Sequence, residues 1–432
     1  MGINIKQATS SPFLRYNAIA FVGSIAVSIL NYLYYPVIGR LLHPADFGEV
    51  QAITSIYVQA VVFMSVFNVV IISLVNKYPD RDTQNKLIAE LEKVALVITI
   101  GVMLALLASS VGLATFFQFG SVYPLLLLLL ALGLSVPSTF RMAFLQGKRR
   151  FGPAAVGGAI SSAGKLLFGT ILVVVGWKAF GAILGIVLAQ AVALVYLVLN
   201  VRKRGWVRPQ DFRRVSIPDL RLVRPELYFA ALVLVTTLCF NLFLSLDILA
   251  VKHWFSPTTA GLYGGIETIG RIVFYATGSV AAVLLATVSN RRSPAENRRT
   301  FYRSAALSIT LGLGVMAIFI IAPTLVITVL MGRKFLAFES LLPLLGLFAF
   351  LASMINLVNM YYLAQRQWFI AIVSALGLAS TLFLLATSHT TPRQVVVSLN
   401  MGAVLTLVLI GAISFATTRF RRVQVDIGQA QI

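Results

Sequence analysis

The chain has 432 residues, of which 59% are hydrophobic, and its mean hydropathy is +0.90. Soluble domains contain about 45–50% apolar residues, so this composition excludes a water-soluble globular protein. The formal net charge of +21 would suit a nucleic-acid-binding protein. However, the basic residues cluster in gaps between apolar segments, which predicts anionic membrane lipids and no nucleic acid as the partner. The single cysteine, Cys239, excludes a disulfide within the chain.

Twelve apolar segments of helix length follow one another along the chain. A helix that crosses the hydrocarbon core of a bilayer needs about 20 mostly apolar residues. Segments of this kind lie at 17–39, 50–75, 94–117, 122–144, 154–176, 179–200, 228–251, 260–288, 304–331, 340–364, 368–388 and 395–418. They take up most of the chain, so no soluble domain of ordinary size fits beside them. The first segment has no small-residue cleavage site behind it and is predicted to be an uncleaved helix.

Positive charge is distributed unevenly between these segments. Of the 35 Lys and Arg residues, 27 lie in the alternate gaps that share a side with both termini, if Arg141 at the inner end of the fourth segment is counted with its gap. Six lie in the opposite gaps, and two, Lys165 and Arg271, lie well inside apolar segments. Cationic loops are held on the cytoplasmic side of a membrane. The sequence therefore predicts a multi-pass protein of the cytoplasmic (inner or plasma) membrane, with both termini cytoplasmic and its basic loops against anionic lipids.

The two halves of the chain resemble each other. The stretch LLHPADFGEV after the first segment reappears as WFSPTTAGLY after the seventh, which aligns Pro44 with Pro257 and Gly48 with Gly261. SVYPLLLLLL and SLLPLLGLFA align at a similar offset. Six segments per half is an even number, so both halves have the same orientation. The predicted fold is an all-α polytopic membrane protein with 12 transmembrane helices, in two six-helix bundles related by a pseudo-two-fold along the membrane normal.

The largest basic gap lies between the two halves. Its arginines alternate with apolar side chains such as Phe212 and Ile217, a pattern typical of a segment on a membrane surface. The predicted organisation is an N-terminal six-helix bundle at 1–205, a cytoplasmic basic amphipathic linker at 206–227 and a C-terminal six-helix bundle at 228–432.

Four ionisable residues lie well inside the predicted spans: Lys165, Asp247, Glu267 and Arg271. A charge at the centre of a membrane helix costs about 2.5–3.5 kcal/mol, so such a residue is expected to face a cavity or a partner. A rise of about 1.5 Å per residue places Lys165 and Arg271 near the midplane on opposite halves, where they would bind an anion. Alternatively, Glu267 neutralises Arg271 at its i,i+4 spacing. Asp247 could bind a coupling cation or pair with Lys252, and the sequence leaves both open.

The sequence contains no recognisable catalytic or metal-binding pattern. The three histidines are far apart, there is no carboxylate pair, and Gly164-Lys165 lacks the spacing of a P-loop. The predicted outer gaps are short, whereas membrane enzymes that polymerise or ligate glycans carry a sizeable outer loop. We therefore expect a protein that is not an enzyme and has no cofactor or metal. Its energy would come from an ion gradient, the membrane potential or the gradient of the substrate.

Several short motifs resemble the polysaccharide transporters of the multidrug/oligosaccharidyl-lipid/polysaccharide exporter superfamily: Asn17, Gly23, GRLLHPADFGEV at 39–50 and LQGKRRF at 145–151. The resemblance implies two bundles with alternating access and an undecaprenyl-diphosphate-linked oligosaccharide as substrate. Relatives hold the diphosphate with arginines, and the one in the eighth span matches Arg271. Their sodium site uses acids in the seventh and eleventh spans. Asp247 matches the first of these, and the eleventh span carries no acid.

Together, these observations predict a flippase or exporter of a lipid-linked oligosaccharide, for cell-surface polysaccharide such as an exopolysaccharide or O-antigen. Arg271 and Lys165, with Glu267 beside them, would contact the substrate, and Asp247 would hold a coupling ion. We expect a monomer that works near glycosyltransferases and a polymerase. One alternative is a cation-coupled multidrug exporter of the same superfamily, whose cationic substrates would favour unpaired acids. Another, a membrane glycan polymerase or ligase, is disfavoured by the short outer gaps.

Overall fold

A computed structural model describes residues 12–77, 80–202, 220–288 and 293–430. These residues form helices joined by short turns, and no strand occurs among them. The predicted all-α fold is therefore confirmed. Most of the predicted linker 206–227 lies outside the described residues, so its position on the membrane surface stays a prediction.

The described residues of the first half form seven helices: α1 (Pro12–Leu41), α2 (Pro44–Val61), α3 (Met64–Lys77), α4 (Arg81–Phe116), α5 (Tyr123–Gly147), α6 (Phe151–Leu172) and α7 (Lys178–Arg202). Those of the second half form eight: α8 (Leu220–Trp254), α9 (Pro257–Gly270), α10 (Ile272–Thr287), α11 (Pro294–Ile321), α12 (Pro323–Leu330), α13 (Leu342–Ala364), α14 (Phe369–Thr387) and α15 (Pro392–Ala430). A π-helical turn follows α6, and a 3-10 helix precedes α13.

Local sequence determines where several of these helices begin. Proline is the first residue of α2, α9, α11, α12 and α15, a position where its missing N–H costs no helical hydrogen bond. The side chain of Asp80 accepts a hydrogen bond from the Thr83 N–H at the start of α4. Ser293 and Glu296 form a capping box at the start of α11. The two capped starts lie at equivalent places in the two halves.

The lengths of the helices agree with a membrane-spanning fold. In the described part of the chain, nine helices are long and apolar enough to cross a membrane, and the bent pair α2–α3 passes the same test as one broken span. One of the nine, Phe151–Arg202, is 52 residues long and contains both α6 and α7. These helices are compatible with the twelve predicted spans.

α6 and α7 form an antiparallel hairpin. Small residues let them approach closely at three levels: Gly157 faces Leu197, Gly164 faces Ala189, and Gly169 faces Gly185. The sum of the paired residue numbers is almost constant, as expected when two helices run in opposite directions. The turn contains Gly176, whose φ of 103° is a left-handed conformation that glycine adopts readily. The 52-residue run is therefore two spans rather than one.

One predicted span is broken, and its counterpart in the repeat is continuous. The span predicted at 50–75 is divided between α2 and α3, which are bent by 43°. The span predicted at 260–288 comprises α9 and α10, which meet at Arg271 without losing helical backbone conformation. There the Arg271 N–H donates to the Glu267 carbonyl oxygen and the Tyr275 N–H to the Arg271 carbonyl oxygen, each at 3.0 Å. Irregular backbone inside a membrane, as between α2 and α3, occurs where protein or a cavity surrounds it.

The starts of α2 and α9, which the sequence repeat aligns, are in contact. A Cβ added at Gly48 would lie 2.9 Å from the Cα of Gly261. One turn further on, the Gln51 Nε2 donates a hydrogen bond of 2.9 Å to the Gly264 carbonyl oxygen. The two residues of that bond are 213 positions apart, which is also the offset of the sequence repeat. The contact therefore joins corresponding positions of the two halves.

Contacts divide the chain into two compact units. The first comprises Met1–Leu234 and Phe255–Gly265, and the second comprises Val235–Trp254 and Ile266–Ile432. Each unit therefore contains most of one half of the sequence. The domain bounds predicted from the sequence stay a prediction.

Large apolar side chains remain exposed on the outside of both units. Leu104 and Val111 on α4 are 61% and 71% exposed, and Ile320 and Ile321 at the end of α11 are 62% and 81% exposed. Apolar surface on this scale marks contact with lipid or with another protein. With so many apolar helices, lipid accounts for it, and the protein is a multi-pass membrane protein.

Candidate functional site

Asp247, Glu267 and Arg271 come together in the second unit. The Arg271 Nε forms an ion pair with the Glu267 Oε1, and the Arg271 Nη2 lies 3.8 Å from the Asp247 Oδ1. The same Nη2 donates a hydrogen bond of 2.7 Å to the Leu244 carbonyl oxygen on α8. Arg271 lies where α9 meets α10, and its guanidinium therefore links this point to α8.

This carboxylate–arginine cluster (Asp247, Glu267 and Arg271) is almost closed to solvent. The side chain of Asp247 is fully buried, that of Glu267 is 5% exposed, and that of Arg271 is 27% exposed. Two carboxylates and one guanidinium have an excess of negative charge when all three are ionised. Removing one partner from such a group leaves an uncompensated buried charge, so Arg271 is expected to hold both acids in place.

The cluster bears on two pairings that the sequence left open. The Glu267–Arg271 pair expected from the i,i+4 spacing is present. Asp247 lies next to Arg271, a partner that sequence reasoning did not consider, because the two residues are on different helices. The roles of these residues in binding a substrate or an ion stay predictions.

Lys165 lies on α6 in the first unit and has different surroundings. Its Nζ lies 4.5 Å from the centroid of the Tyr34 ring and 5.2 Å from that of Tyr35. Cations are attracted to the face of an aromatic ring within about 6 Å. Within the described ranges, no ion pair joins Lys165 to a carboxylate. Aromatic rings rather than an acid are therefore its neighbours on α1.

A pair of polar side chains, Asn31 and Ser162, lies about one helical turn from Lys165. The Asn31 Nδ2 donates a hydrogen bond of 2.9 Å to the Ser162 Oγ. The Ser162 hydroxyl donates to the Gly158 carbonyl oxygen at 3.0 Å. The Tyr34 hydroxyl donates to the Ala182 carbonyl oxygen on α7, also at 3.0 Å. These bonds hold α1, α6 and α7 together around Lys165.

Asn31 and Lys165 point away from the exposed apolar faces of their helices. Successive residues of a helix are rotated by about 100°, so residues two apart lie on nearly opposite faces. Lys165 is two residues from Leu167, which is 57% exposed, and Asn31 is two residues from both Ile29 and Leu33, which are 53% and 39% exposed. Asn31 and Lys165 are themselves only half-buried. They therefore form an accessible polar surface on the side of the first unit turned away from the lipid.

The four predicted site residues are divided between the two units. Asp247, Glu267 and Arg271 belong to the second unit, and Lys165 belongs to the first. Joint binding of one anion by Lys165 and Arg271 stays a prediction. In the described part of the chain, no group of three or more His, Cys, Asp or Glu residues could hold a metal ion.

Sequence reasoning missed two polar pairs in the first unit. Asn31 lies in an apolar span, and a polar residue there is a visible signal, but its pairing with Ser162 depends on how α1 packs on α6. Arg141, which the sequence assigns to a cytoplasmic gap, forms a buried ion pair with Glu92. That pair joins α4 to α5, and only the packing of these helices reveals it.

A model of the protein family described as polysaccharide biosynthesis protein matches residues 14–289, which is more than half of the chain. The chain belongs to this family. The match reaches from α1 into α10, so it includes all four predicted site residues of this polysaccharide biosynthesis protein. No curated protein matches the chain at a significant level.

Solved structures with a similar fold are transporters. The lipid II flippase MurJ, in an inward closed conformation, has a TM-score of 0.70 at 14% identity, over 90% of this chain and 86% of that one. An inward-facing multidrug resistance MATE family transporter of the MOP superfamily has a TM-score of 0.67 at 12% identity. The match covers 92% of this chain and 99% of that one. A MOP superfamily transporter from Pyrococcus furiosus, described as having a binding pocket of reverse polarity, has a TM-score of 0.66 at 13% identity. The match covers 92% of this chain and 95% of that one.

At these low identities the likeness shows the fold. The chain thus has the membrane flippase or transporter fold of the MOP superfamily, that is, of the multidrug/oligosaccharidyl-lipid/polysaccharide exporters. The resemblance expected from the sequence motifs is confirmed.

Proposed function

We propose that the protein is an alternating-access flippase for an oligosaccharide linked to a lipid diphosphate of the undecaprenyl type. It would move this glycolipid across the cytoplasmic membrane for cell-surface polysaccharide biosynthesis. The observation that carries the proposal is Lys165, a cation inside a membrane span that has aromatic rings beside it and no described acid.

The positive charge of Lys165 lies inside a predicted membrane span, where it is unfavourable. It costs about 2.5–3.5 kcal/mol at a helix centre, so cations in membrane spans mark pathways and binding sites for substrates. Tyr34 and Tyr35 reduce this cost without neutralising the charge, because a cation–π contact leaves the ammonium positive. The ammonium is therefore available to a diphosphate, and the half-buried face on which it lies is accessible.

Arg271 is the second cation that we assign to the substrate, in a different role. Its guanidinium is already bound by Glu267 and lies near Asp247, yet 27% of the side chain is exposed. A diphosphate would have to compete with Glu267 for it. Lys165 therefore makes the main contact with the anion in this proposal, and Arg271 adds to it only when its pairing with Glu267 loosens.

The test is a flipping assay with purified protein in lipid vesicles and a fluorescent prenyl-diphosphate oligosaccharide. Lys165→Ala should abolish flipping, whereas Lys178→Ala, which removes an exposed lysine of the same unit, should not. Both variants should insert and purify like the unaltered protein. Undiminished flipping by Lys165→Ala would overturn the proposal.

The carboxylate–arginine cluster supports a second candidate, a cation-coupled multidrug exporter. The cluster places two carboxylates beside one guanidinium, and carboxylates suit a cation rather than a diphosphate. Two of the transporters compared above belong to the same superfamily, and one is a multidrug resistance protein. A susceptibility panel of cationic drugs on a deletion strain separates the candidates. Sensitivity to several drugs supports the exporter, and loss of surface polysaccharide supports the flippase.

In the proposed cycle the protein makes and breaks no covalent bond. Glycosyltransferases would load the lipid on the cytoplasmic side, and a polymerase would use the glycan on the other side. The chain would work beside them as a monomer. Pull-down from solubilised membranes, followed by light scattering of the purified protein, tests both points.

A further inference from the structure

The orientation of the Asn31 amide follows from the hydrogen bonds around it. The Ser162 hydroxyl has one hydrogen, which it donates to the Gly158 carbonyl oxygen. Ser162 can therefore only accept a bond from Asn31, so the amide nitrogen must face it. The Asn31 Oδ1 then points away from Ser162. The residue type alone would not tell which end of the amide faces Ser162.

An asparagine held in this way has unused hydrogen-bonding capacity. A side-chain amide has two N–H donors and an oxygen that accepts two bonds. The Asn31 amide gives one donor to Ser162, and among the described residues this leaves one N–H and the oxygen. Asn31 is half-buried and lies on the face turned away from the lipid. A donor and an acceptor next to each other in such a place match two neighbouring hydroxyls of a sugar.

The position of Asn31 relative to Lys165 specifies which sugar it would meet. α1 and α6 run in the same direction, because Asn31 pairs with Ser162 and the next turn of α1 meets Lys165. The amide and the ammonium are thus one helical turn apart, about 5 Å along the helices. This spacing is similar to the size of one sugar ring. A phosphate on Lys165 would leave the ring attached to it beside Asn31.

We propose that Asn31 binds two hydroxyls of the first sugar of the substrate, the one joined to the diphosphate, and that Ser162 is the positioning residue that orients its amide. This inference rests on the proposed function, because it requires the phosphate to lie on Lys165. It adds a site for a sugar next to a site for an anion. The first unit would then distinguish a sugar-bearing lipid from the bare lipid diphosphate.

Two probes test the two sites separately. One is a short-chain polyprenyl diphosphate without sugar, and the other is the same lipid with one hexose. Their affinities are measured for the full-length protein in phosphatidylcholine nanodiscs. Lys165→Ala should weaken both probes at least tenfold. Asn31→Ala should weaken only the hexose-bearing probe, by about tenfold for the loss of two neutral hydrogen bonds.

Ser162→Ala and Asn200→Ala serve as the second variant and the matched control. Ser162→Ala should weaken the hexose-bearing probe less than Asn31→Ala does, and the double variant should be no weaker than Asn31→Ala alone. Asn200 is also half-buried, but among the described residues its amide donates to the Tyr196 carbonyl oxygen of its own helix. Asn200→Ala should therefore change neither affinity.

The outcomes separate this inference from the proposed function. If Lys165→Ala weakens both probes but Asn31→Ala weakens neither, or both equally, the sugar site is wrong and the anion site stands. The sugar site is also wrong if the hexose adds no affinity to the unaltered protein. If Lys165→Ala changes neither affinity, or if the unaltered protein binds neither probe, both proposals are wrong.

Discussion

Lys165 in the first unit and Arg271 in the second are both cations inside predicted membrane spans, and the structure treats them differently. Arg271 is bound by a carboxylate, lies near another and donates to a backbone carbonyl oxygen. Lys165 lies over two tyrosine rings and has no described acid. Arginine suits the first setting because its planar fork binds several oxygens at once. Lysine suits the second because it is a compact charge on a flexible stem.

A positive charge in a membrane span can therefore either stabilise the fold or bind a ligand. A cation that is fully compensated by protein acids stabilises the structure, and its removal leaves those acids unpaired. A cation without an acid costs free energy, so a ligand is the simplest reason for its presence. Four substitutions test this difference, and each is measured as a change in the free energy of unfolding in detergent or nanodiscs.

Arg271→Ala should have the largest effect. It removes the cation that is ion-paired with the buried Glu267, and breaking a buried ion pair costs about 3–5 kcal/mol. The melting temperature and the yield of folded protein should both fall. The double variant Arg271→Ala with Glu267→Gln should recover part of the loss, because it removes one of the two charges. Full stability of the single variant would show that Arg271 does not compensate the acids.

Glu267→Leu should have an intermediate effect of about 1.5–3 kcal/mol, the range for a hydrogen bond to a charged group. The guanidinium would keep Asp247 and the Leu244 carbonyl oxygen as partners. The same melting experiment checks the value. A loss larger than that of Arg271→Ala would contradict the assignment of Arg271 as the centre of the cluster.

Tyr34→Phe should cost about 0.5–1.5 kcal/mol, because it removes the buried hydrogen bond to the Ala182 carbonyl oxygen and keeps the ring. Since the ring remains beside Lys165, flipping should be retained. Melting and flipping are measured on the same preparation. Loss of flipping with unchanged stability would show that the hydroxyl, rather than the ring, is needed at this place.

Lys165→Met should have the smallest effect on stability, a change of less than about 1 kcal/mol in either direction. Methionine keeps an apolar stem against the tyrosine rings and removes a charge that has no described acid. Flipping should nevertheless be lost. A stability loss as large as that of Arg271→Ala would remove the difference between the two cations.

The sequence predicted the fold class, and its predicted spans are compatible with the apolar helices of the structure, because apolar length is a local property. It also predicted the Glu267–Arg271 pair, since four residues on one helix are neighbours. It missed the contact of Asp247 with Arg271 and that of Asn31 with Ser162. Each of these joins two helices whose packing is set by many small residues together, such as the glycines between α6 and α7.

The sequence repeat also did not predict which residues of different helices are in contact. Alignment of Gly48 with Gly261 predicted that the two halves are alike, but not that these two residues touch. The bend between α2 and α3 was also missed, because the two helices together are apolar enough to pass as one span. A break in a span has no composition of its own when neighbouring helices satisfy its backbone.

The contact of Gly48 with Gly261 also bears on how its two sides can change. In a two-fold homodimer, where a residue can meet its own counterpart, one substitution alters both sides of a contact at once. Here the two counterparts belong to one chain, so each side changes alone. The bond from Gln51 to Gly264 is already unequal, because a side-chain amide donates on one side and a backbone carbonyl oxygen accepts on the other.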